Sequence, residues 1–175
     1  YADNPLDHEI VGENVYLNII NTANKYVYIY TPYLIIDNEM ITALCLAAKR
    51  GVDIKIVTPG IPDKKMVFWL TQSYYRKLVE AGIHIYEYTP GFIHAKCFAS
   101  DDKVATVGTI NMDYRSLYLH FENGVFMYNN DAVMQVKHDM EKTFEISQRI
   151  TKEMCQGSLK KTLAQSVLRL LAPLL

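Results

Sequence analysis

The residue pair best suited to chemistry in this chain is His94 and Lys96, which a single alanine separates. A strand predicted over residues 94–99 would direct both side chains to one face, because residues i and i+2 of a strand share a face. An imidazole can attack phosphorus or transfer a proton near neutral pH, and a neighbouring lysine can neutralise a phosphate. The pair therefore has the groups needed to cleave a phosphodiester without a metal ion.

Residues downstream of this pair supply further groups that such a reaction needs. Asp101 follows at a predicted turn, Thr109 and Asn111 follow a glycine, and Glu122 comes next along the chain. An isolated His-x-Lys pattern is more typical of a polar residue at the end of a strand. The added hydroxyl, amide and carboxylates favour a functional site over that alternative.

This block resembles the His-x-Lys-(four residues)-Asp signature of the phospholipase D superfamily, with its trailing Gly-Ser/Thr-x-Asn, here Gly-Thr-Ile-Asn. Four segments more narrowly resemble bacterial cardiolipin synthases, and this resemblance covers essentially the whole chain. They are Tyr-Thr-Pro-Tyr-Leu-Ile-Ile-Asp at 30–37, Arg-Gly-Val-Asp at 50–53, Tyr-Thr-Pro-Gly-Phe-Ile-His at 88–94 and Asn-Met-Asp-Tyr-Arg-Ser at 111–116. The resemblance implies the C-terminal catalytic half of such an enzyme, with a phospholipase D-like α/β/α sandwich.

The resemblance also implies a reaction: phosphatidyl transfer between two phosphatidylglycerol molecules, which gives cardiolipin and glycerol through a phosphohistidine. In-line displacement places the attacking group and the proton donor on opposite sides of phosphorus, so His94 alone does not serve both roles. Members of the superfamily pair two such motifs. The second histidine is therefore expected from an N-terminal half of the same protein or from a second copy, and which of the two attacks is left open.

Each remaining site residue has an expected role and an alternative. Lys96 and Asn111 would donate hydrogen bonds to phosphate oxygens, and Thr109 would add a hydroxyl, unless Asn111 is instead a helix N-cap. Family members carry an acidic residue at the position of Glu122, which would fix the orientation of the imidazole, unless it faces solvent. Asp101 belongs to the signature but is expected to support the loop, through a backbone or basic group, without carrying protons.

Composition limits the other classes of function. The 175 residues are 50% hydrophobic with a net charge of −1, which suits a soluble globular domain and gives no overall basic field for nucleic acid. Three cysteines at wide spacing predict reduced, buried thiols in a cytosolic setting and no zinc site, and neither a metal nor a cofactor is expected. Surface or packing roles are expected for the other histidines, His8, His84, His120 and His138.

The first residue, Tyr1, is not a methionine, and no apolar stretch is long enough to cross a bilayer. The sequence is therefore expected to be a piece of a longer protein. The resemblance implies that the missing part carries a membrane anchor, which would hold the catalytic domain at the cytoplasmic side of a bacterial cell membrane.

The sequence pattern around this site alternates between helices and strands. This alternation predicts an α/β fold with a mixed β-sheet flanked by helices on both faces. A turn at residues 100–103 is expected to join two hairpin strands, and Asp37 and Gly51 are expected to bound a helix. The predicted helices cover residues 12–25, 37–50, 64–81, 113–119 and 131–147. The predicted strands cover residues 26–31, 52–58, 83–88, 94–99, 104–107 and 123–128.

Residues 1–155 are expected to form the phospholipase D-like domain, and residues 156–175 an amphipathic C-terminal helix. That helix could pack on this domain, pack on the missing half or lie on a membrane, and packing is favoured. Two other functions remain as alternatives to phosphatidyl transfer. One is a homodimeric phosphodiesterase or nuclease, and the other is a non-enzymatic domain that binds phosphate headgroups or completes its partner half.

Overall fold

The computed structural model describes residues 1–6, 9–156, 159–170 and 172, with backbone alone for residues 159–164. The helices are α1 (Val11–Thr22), α2 (Asn38–Lys49), α3 (Lys65–Glu80), α4 (Tyr114–Tyr118), α5 (Asp131–Glu145) and α6 (Leu159–Leu170). The strands are β1 (Ala2–Asp3), β2 (Tyr26–Tyr30), β3 (Leu34–Ile35), β4 (Asp53–Pro59), β5 (His84–Tyr88), β6 (Cys97–Ser100), β7 (Val104–Gly108), β8 (Met112–Asp113), β9 (Glu122–Tyr128) and β10 (Ser147–Arg149).

Eight of the described strands form one mixed sheet in the order β1-β9-β7-β6-β2-β4-β5-β10. The central strands β2, β4 and β5 are parallel, and the strands outside them are antiparallel to their neighbours. A separate parallel pairing joins β3 to β8. The predicted α/β fold with a mixed sheet is confirmed.

Both faces of the sheet are covered by helices, as predicted. Along β2, Val27 and Ile29 belong to the larger core, which includes buried residues of α1, α2 and α3. The tyrosines at positions 26, 28 and 30 alternate with them and contribute to a second cluster with Met140 of α5. All five residues of β2 are buried, because a central strand between two helical layers has no solvent-facing side.

The boundaries of α2 follow from local chemistry that the sequence predicts. The Asp37 carboxylate caps the helix by accepting a hydrogen bond from the Met40 backbone N–H at 2.8 Å. Gly51 follows the helix with a φ of 94°, a left-handed conformation that favours glycine. These two residues therefore bound the helix as expected.

The strand predicted over residues 94–99 is wrong at its start. β6 begins at Cys97, opposite Tyr30 at the end of β2, and residues 92–96 have no regular secondary structure. His94 and Lys96 therefore lie in the segment that leads into β6. The pairings of β1, β3, β8 and β10 are also missing from the sequence prediction, because two or three residues are too short for a hydrophobic period to show.

The described part of the C-terminal helix, α6, packs along α3 within this chain. The Arg169 guanidinium donates to the hydroxyl and backbone oxygen of Ser73 and lies 4.7 Å from the centre of the Tyr74 ring. Gln165 donates to the backbone oxygen of Trp69 at 3.3 Å, one helical turn earlier on both helices. The side chains of residues 157–164 lie outside the described part of the structure.

The burial of the three cysteines differs from the prediction. Cys97 is buried among the residues that face α5, and burial raises the pKa of its thiol to about 11. Cys45 and Cys155 are half-buried, so the prediction of three buried thiols is wrong for these two. Among the helices that the structure describes, none has the length and apolar character that crossing a bilayer requires.

Candidate functional site

The candidate site lies at one edge of the sheet, where the three parallel strands end. Tyr30, Pro59 and Tyr88 are the last residues of β2, β4 and β5, and Cys97, at the start of antiparallel β6, pairs with Tyr30. The segments that follow or precede these ends therefore emerge on the same side of the molecule. In open α/β sheets, this edge is where ligands bind.

His94 and Lys96 contact each other directly in the segment before β6. The Lys96 Nζ lies 3.0 Å from both ring nitrogens of His94 and donates to the His94 backbone oxygen at 2.8 Å. Lys96 is 8% exposed, whereas the His94 ring is exposed and stacks on Phe92 with ring centres 5.5 Å apart. The sequence therefore predicts the pairing of the two side chains correctly, although an irregular segment and not a strand brings them together.

Burial shifts the pKa values of both residues downward. Partial burial lowers the pKa of His94, the Lys96 ammonium lowers it further, and the Asp63 carboxylate opposes these effects. Burial lowers the pKa of Lys96, against the influence of the Glu122 and Asp113 carboxylates. The neutral imidazole is therefore favoured, which is the form that can act as a nucleophile or base.

Asn111 lines a cleft of about 210 Å³, together with the Asp113 and Glu122 carboxylates whose charges act on Lys96. Its Nδ2 donates to the Ser116 hydroxyl at 2.9 Å, and its buried Oδ1 has no hydrogen-bond partner within the described part of the chain. Asp113, and not Asn111, is the N-cap of α4, because its carboxylate accepts from the Ser116 backbone N–H at 2.8 Å. The N-cap alternative for Asn111 is therefore wrong.

Thr109 is engaged with the neighbouring strand. Its hydroxyl accepts from the Asn123 backbone N–H at 3.0 Å and donates to the Asn123 oxygen at 3.3 Å. A Cβ on Gly108 would lie 2.3 Å from that same oxygen and 2.7 Å from the Gly124 Cα. Gly108 therefore permits a close approach of β7 to β9.

Glu122 lies at the start of β9, and its side chain is 10% exposed, so the solvent-facing alternative is wrong. Its Oε1 is 3.8 Å from Nδ1 of His120, and among the described residues no hydrogen bond joins it to His94. The expected orienting contact with the His94 ring is therefore not made, because the carboxylate faces His120 and adds negative charge near Lys96.

Asp101 has the supporting role that its place in a turn predicts. Its carboxylate accepts hydrogen bonds from the backbone N–H groups of Asn24, Lys25 and Tyr26 at 2.7–3.0 Å. The turn at residues 100–103 joins β6 and β7 as expected, with the Lys103 N–H donating to the Ser100 oxygen at 3.0 Å. The acidic residue of the signature therefore fixes the opposite end of β6 to the start of β2.

The structure adds residues to the cleft that sequence reasoning missed. Tyr33, Lys64, Arg115 and His120 line it together with Asn111 and Glu122. The sequence predicts a surface or packing role for His120, and the only sequence signal for a place in the cleft is its position two residues before Glu122. His84 opens β5 and His138 is exposed on α5, whereas His8 lies outside the described residues.

Curated relatives match the chain over almost all of its length. An uncharacterized protein of Streptococcus mutans is 55% identical over 176 residues, which cover 100% of this chain and 38% of that protein. A cardiolipin synthase of Clostridium perfringens is 40% identical over 164 residues, covering 93% of this chain and 34% of the enzyme. The chain thus spans a little over a third of the length of these relatives.

Solved structures share the fold at low sequence identity. Nuc of Salmonella typhimurium, a phospholipase D family member, superposes with a TM-score of 0.69 at 18% identity, covering 79% of this chain and 90% of Nuc. Phosphatidylserine synthase of Haemophilus influenzae gives a TM-score of 0.70 at 17% identity, covering 93% of this chain and 42% of that enzyme.

The match of a family model is consistent with the edge-of-sheet site and with these relatives. The model described as "Cardiolipin synthase, PLD-like domain" matches residues 16–145, which include the His94–Asp101 signature, Asn111 and Glu122. The chain belongs to this family of phospholipase D-like domains of cardiolipin synthases.

Proposed function

We propose that this chain supplies one half of a two-histidine active site that transfers a phosphatidyl group from one phosphatidylglycerol to another. The products are cardiolipin and glycerol. The second histidine comes from an N-terminal half of the same protein or from a second copy of the chain. A membrane anchor in the longer protein keeps the site at the cytoplasmic side of the bacterial cell membrane.

The observation that carries this proposal is the contact between the exposed His94 ring and the buried Lys96 ammonium. A ring that is accessible and biased toward its neutral form suits attack on phosphorus. The adjacent ammonium suits the negative charge of the phosphate oxygens, which it would meet 3.0 Å from the reacting ring.

The proposed reaction proceeds in two balanced steps. A ring nitrogen of neutral His94 donates its electron pair to phosphorus, and the bond from phosphorus to the glycerol oxygen breaks. The second histidine, protonated at this stage, gives its proton to that oxygen. It then takes a proton from the hydroxyl of the second phosphatidylglycerol, whose oxygen attacks phosphorus and breaks the P–N bond.

Asn111 is proposed to hold a phosphate oxygen during both steps. Its place in the lining of the cleft and the hydrogen-bond donors of its amide support this role. Such donors stabilise charge that develops on the non-bridging oxygens.

The proposal is tested with phosphatidylglycerol that carries labelled phosphorus. The reaction is quenched in alkali, where phosphohistidine survives, and the labelled peptide is identified by mass spectrometry. We expect label on His94 that is lost in acid and absent from His94→Gln, whereas His138→Gln, a control on exposed α5, keeps it. Label on neither motif, or turnover that survives in His94→Gln, would contradict the proposal.

A homodimeric phosphodiesterase or nuclease is the second candidate. It is favoured by the similarity to Nuc, because this chain covers 90% of that protein and each copy could give one histidine. Cleavage of an oligonucleotide by the 175-residue chain, lost in His94→Gln and rising with the dimer fraction in sedimentation, would support this candidate over phosphatidyl transfer.

A further inference from the structure

An exposed surface of mixed apolar and basic character surrounds the start of α3. Its apolar members are Ile61, Met66 and Trp69, which are 51%, 55% and 54% exposed. Lys64 and Lys65 lie between them in sequence and are also exposed. On a helix, Met66 and Trp69 are three residues apart and therefore share a face. We call these five residues the α3 rim.

The α3 rim lies at the same edge of the sheet as the candidate site. Pro59 ends β4 at this edge, and the Gly60 N–H donates to the Tyr88 oxygen at the end of β5. Lys64 lines the cleft that contains Asn111. The neighbouring Asp63 accepts a hydrogen bond from the Tyr33 hydroxyl at 2.5 Å, which ties the rim to the wall of the cleft.

A second exposed aromatic ring extends this surface toward the proposed reacting group. Phe92 is 41% exposed and stacks on the His94 imidazole. It lies in the segment after β5, which emerges at the same edge as the α3 rim. Exposed apolar side chains therefore lie on two of the segments around the site.

The composition of the α3 rim distinguishes between two kinds of occupant. The buried centre of a protein interface is depleted in lysine, because a compact ammonium is costly to remove from water. Lysines interspersed with tryptophan, methionine and isoleucine instead match an anionic bilayer surface, where the charges meet headgroups and the apolar groups meet acyl chains.

A different exposed surface of the chain provides the contrast. β9 and the residues before it expose several large apolar groups without an interspersed lysine, which is the composition expected of a protein contact. These groups are Leu119, Phe121, Val125, Phe126 and Tyr128.

We propose that the α3 rim enters the headgroup region of an anionic phospholipid bilayer and so holds the candidate site, with its exposed His94 ring, against the membrane surface. The inference rests on the proposed function, since a phosphatidylglycerol substrate must present its phosphate to His94 while its acyl chains remain in the bilayer. Met66 and Trp69 contact the acyl boundary, and Lys64 and Lys65 contact lipid phosphates.

The test uses Trp69, the single tryptophan of the sequence, as an internal probe. The 175-residue chain is mixed with vesicles of phosphatidylglycerol and phosphatidylcholine, and with vesicles of phosphatidylcholine alone. We expect the emission of Trp69 to shift to shorter wavelength and to be quenched by brominated acyl chains, with stronger binding to the anionic vesicles and weakening by salt.

Two sets of variants separate charge from apolar contact. In vesicle sedimentation, we expect Lys64→Gln/Lys65→Gln to weaken binding about fivefold per lysine. We expect Met66→Ser/Trp69→Ala to weaken it by on the order of tenfold per side chain. The matched controls lie away from this edge, on the last turns of α2 and α3, and should bind like the parent. Lys49→Gln/Lys77→Gln is the control for charge. Leu46→Ser is the control for apolar contact, because Leu46 is 52% exposed in the parent.

Binding is read without turnover, so its outcome is independent of the proposed reaction. Vesicle binding through the α3 rim by a chain that transfers no phosphatidyl group would sustain this inference and not the proposed function. Unchanged emission in a chain that sediments with vesicles would overturn the inference, as would equal binding by all variants. A spectral shift that depends on protein concentration without vesicles would also overturn it, because a second copy would then cover the rim.

Discussion

The Lys96 ammonium lies 3.0 Å from each ring nitrogen of His94, so one cation is equally close to both atoms at which the imidazole can carry a proton. A neutral ring offers a lone pair to this ammonium, whereas a protonated ring brings a second positive charge against it. The contact therefore couples the protonation of the proposed reacting group to the group proposed to neutralise phosphate.

Removing this cation is expected to raise the pKa of His94. In Lys96→Met the repulsion is lost, although the lowering caused by burial remains, so the imidazole protonates at a higher pH than in the parent. The pH at which activity falls on the acid side should rise with it, because the neutral ring is needed. NMR titration of the histidine Cε1–H signals measures the shift, and His84 serves as an internal control. An unchanged or lower His94 pKa would contradict this prediction.

Replacing Asp101 is expected to destabilise the fold. Asp101→Asn keeps one acceptor for the three backbone N–H groups and presents an NH₂ to them, which should cost about 1–3 kcal/mol in the free energy of unfolding. Asparagine tolerates the φ of 56° at this position, so backbone strain is not added. Denaturant unfolding at neutral pH measures the loss. The neighbouring Asp102→Asn, whose carboxylate pairs with the Lys137 side chain, should lose less than about 1 kcal/mol.

The pH dependence of the Asp101 effect has a definite sign. Hydrogen bonds from the backbone outweigh the effect of burial and lower the pKa of this carboxyl below its ordinary value. The stabilisation is therefore complete above the unfolded-state pKa of about 3.9 and is lost as the pH falls through the lower pKa of the folded state. A difference between parent and Asp101→Asn that grows as the pH falls would contradict this account.

Gly108→Ala is expected to destabilise the sheet beside the site. The new Cβ would lie 2.3 Å from the Asn123 oxygen and 2.7 Å from the Gly124 Cα, and both are backbone atoms of β9. Separating the strands should cost about 1–3 kcal/mol, as seen for overpacked cores. Gly91→Ala is the control in thermal unfolding, because the nearest atom to its Cβ is a Tyr88 ring carbon at 3.9 Å. Equal stability of the two variants would show that β9 can move away at no cost.

Glu13→Gln is expected to stabilise the chain at alkaline pH. Burial raises the pKa of Glu13 against the hydrogen bond from Tyr118, and the nearby Asp37 carboxylate raises it further. The favourable contribution of the protonated group is present below its ordinary pKa and is lost as the pH rises through the raised value. The neutral amide still accepts from the Tyr118 hydroxyl, which donates at 2.8 Å in the parent. Thermal unfolding between acid and alkaline pH, with chelator present, measures the gain.

The matched control for this variant is Glu145→Gln on the exposed surface of α5. It should leave the thermal unfolding temperature unchanged at every pH. If Glu13→Gln is less stable than the parent at alkaline pH, the ionised carboxylate contributes favourable interactions that outweigh its burial.

Local chemistry explains which parts of the fold the sequence predicts. The cap at Asp37 and the turn at Asp101 depend on contacts set by a few neighbouring residues and a change in hydrophobic period, and both are confirmed. The start of β6 depends on its neighbours instead: β2 ends at Tyr30 opposite Cys97, so residues before Cys97 have no central strand to pair with. The spacing of His94 and Lys96 therefore resembles a strand in sequence, although these two residues do not belong to one.

The same distinction between local and distant contacts explains which parts of the site the sequence predicts. The contact between His94 and Lys96 is local in sequence and could be predicted, even with the wrong backbone. The engagement of Thr109 with Asn123 depends on how β7 and β9 align, which no short pattern encodes. Lys64 and Tyr33 reach the cleft from segments that are distant in sequence from Asn111. Tyr33 lies in the segment at 30–37 that carries the family resemblance, but no local pattern assigns it to the site.

The spacing between Lys96 and Asp101 in the signature corresponds to one strand of the sheet. The four residues between Lys96 and Asp101 are the whole of β6, so the fixed gap in the motif is the length of one strand. Phe98 points to one helical layer and Cys97 and Ala99 to the other. Inserting a single residue here would exchange the helical layers that these side chains enter. It would also displace the His94 imidazole relative to Asp101, whose carboxylate binds the start of β2 at the other end of the strand. The spacing of the motif therefore sets the distance between the His94–Lys96 pair and Asp101, in addition to supplying reactive groups.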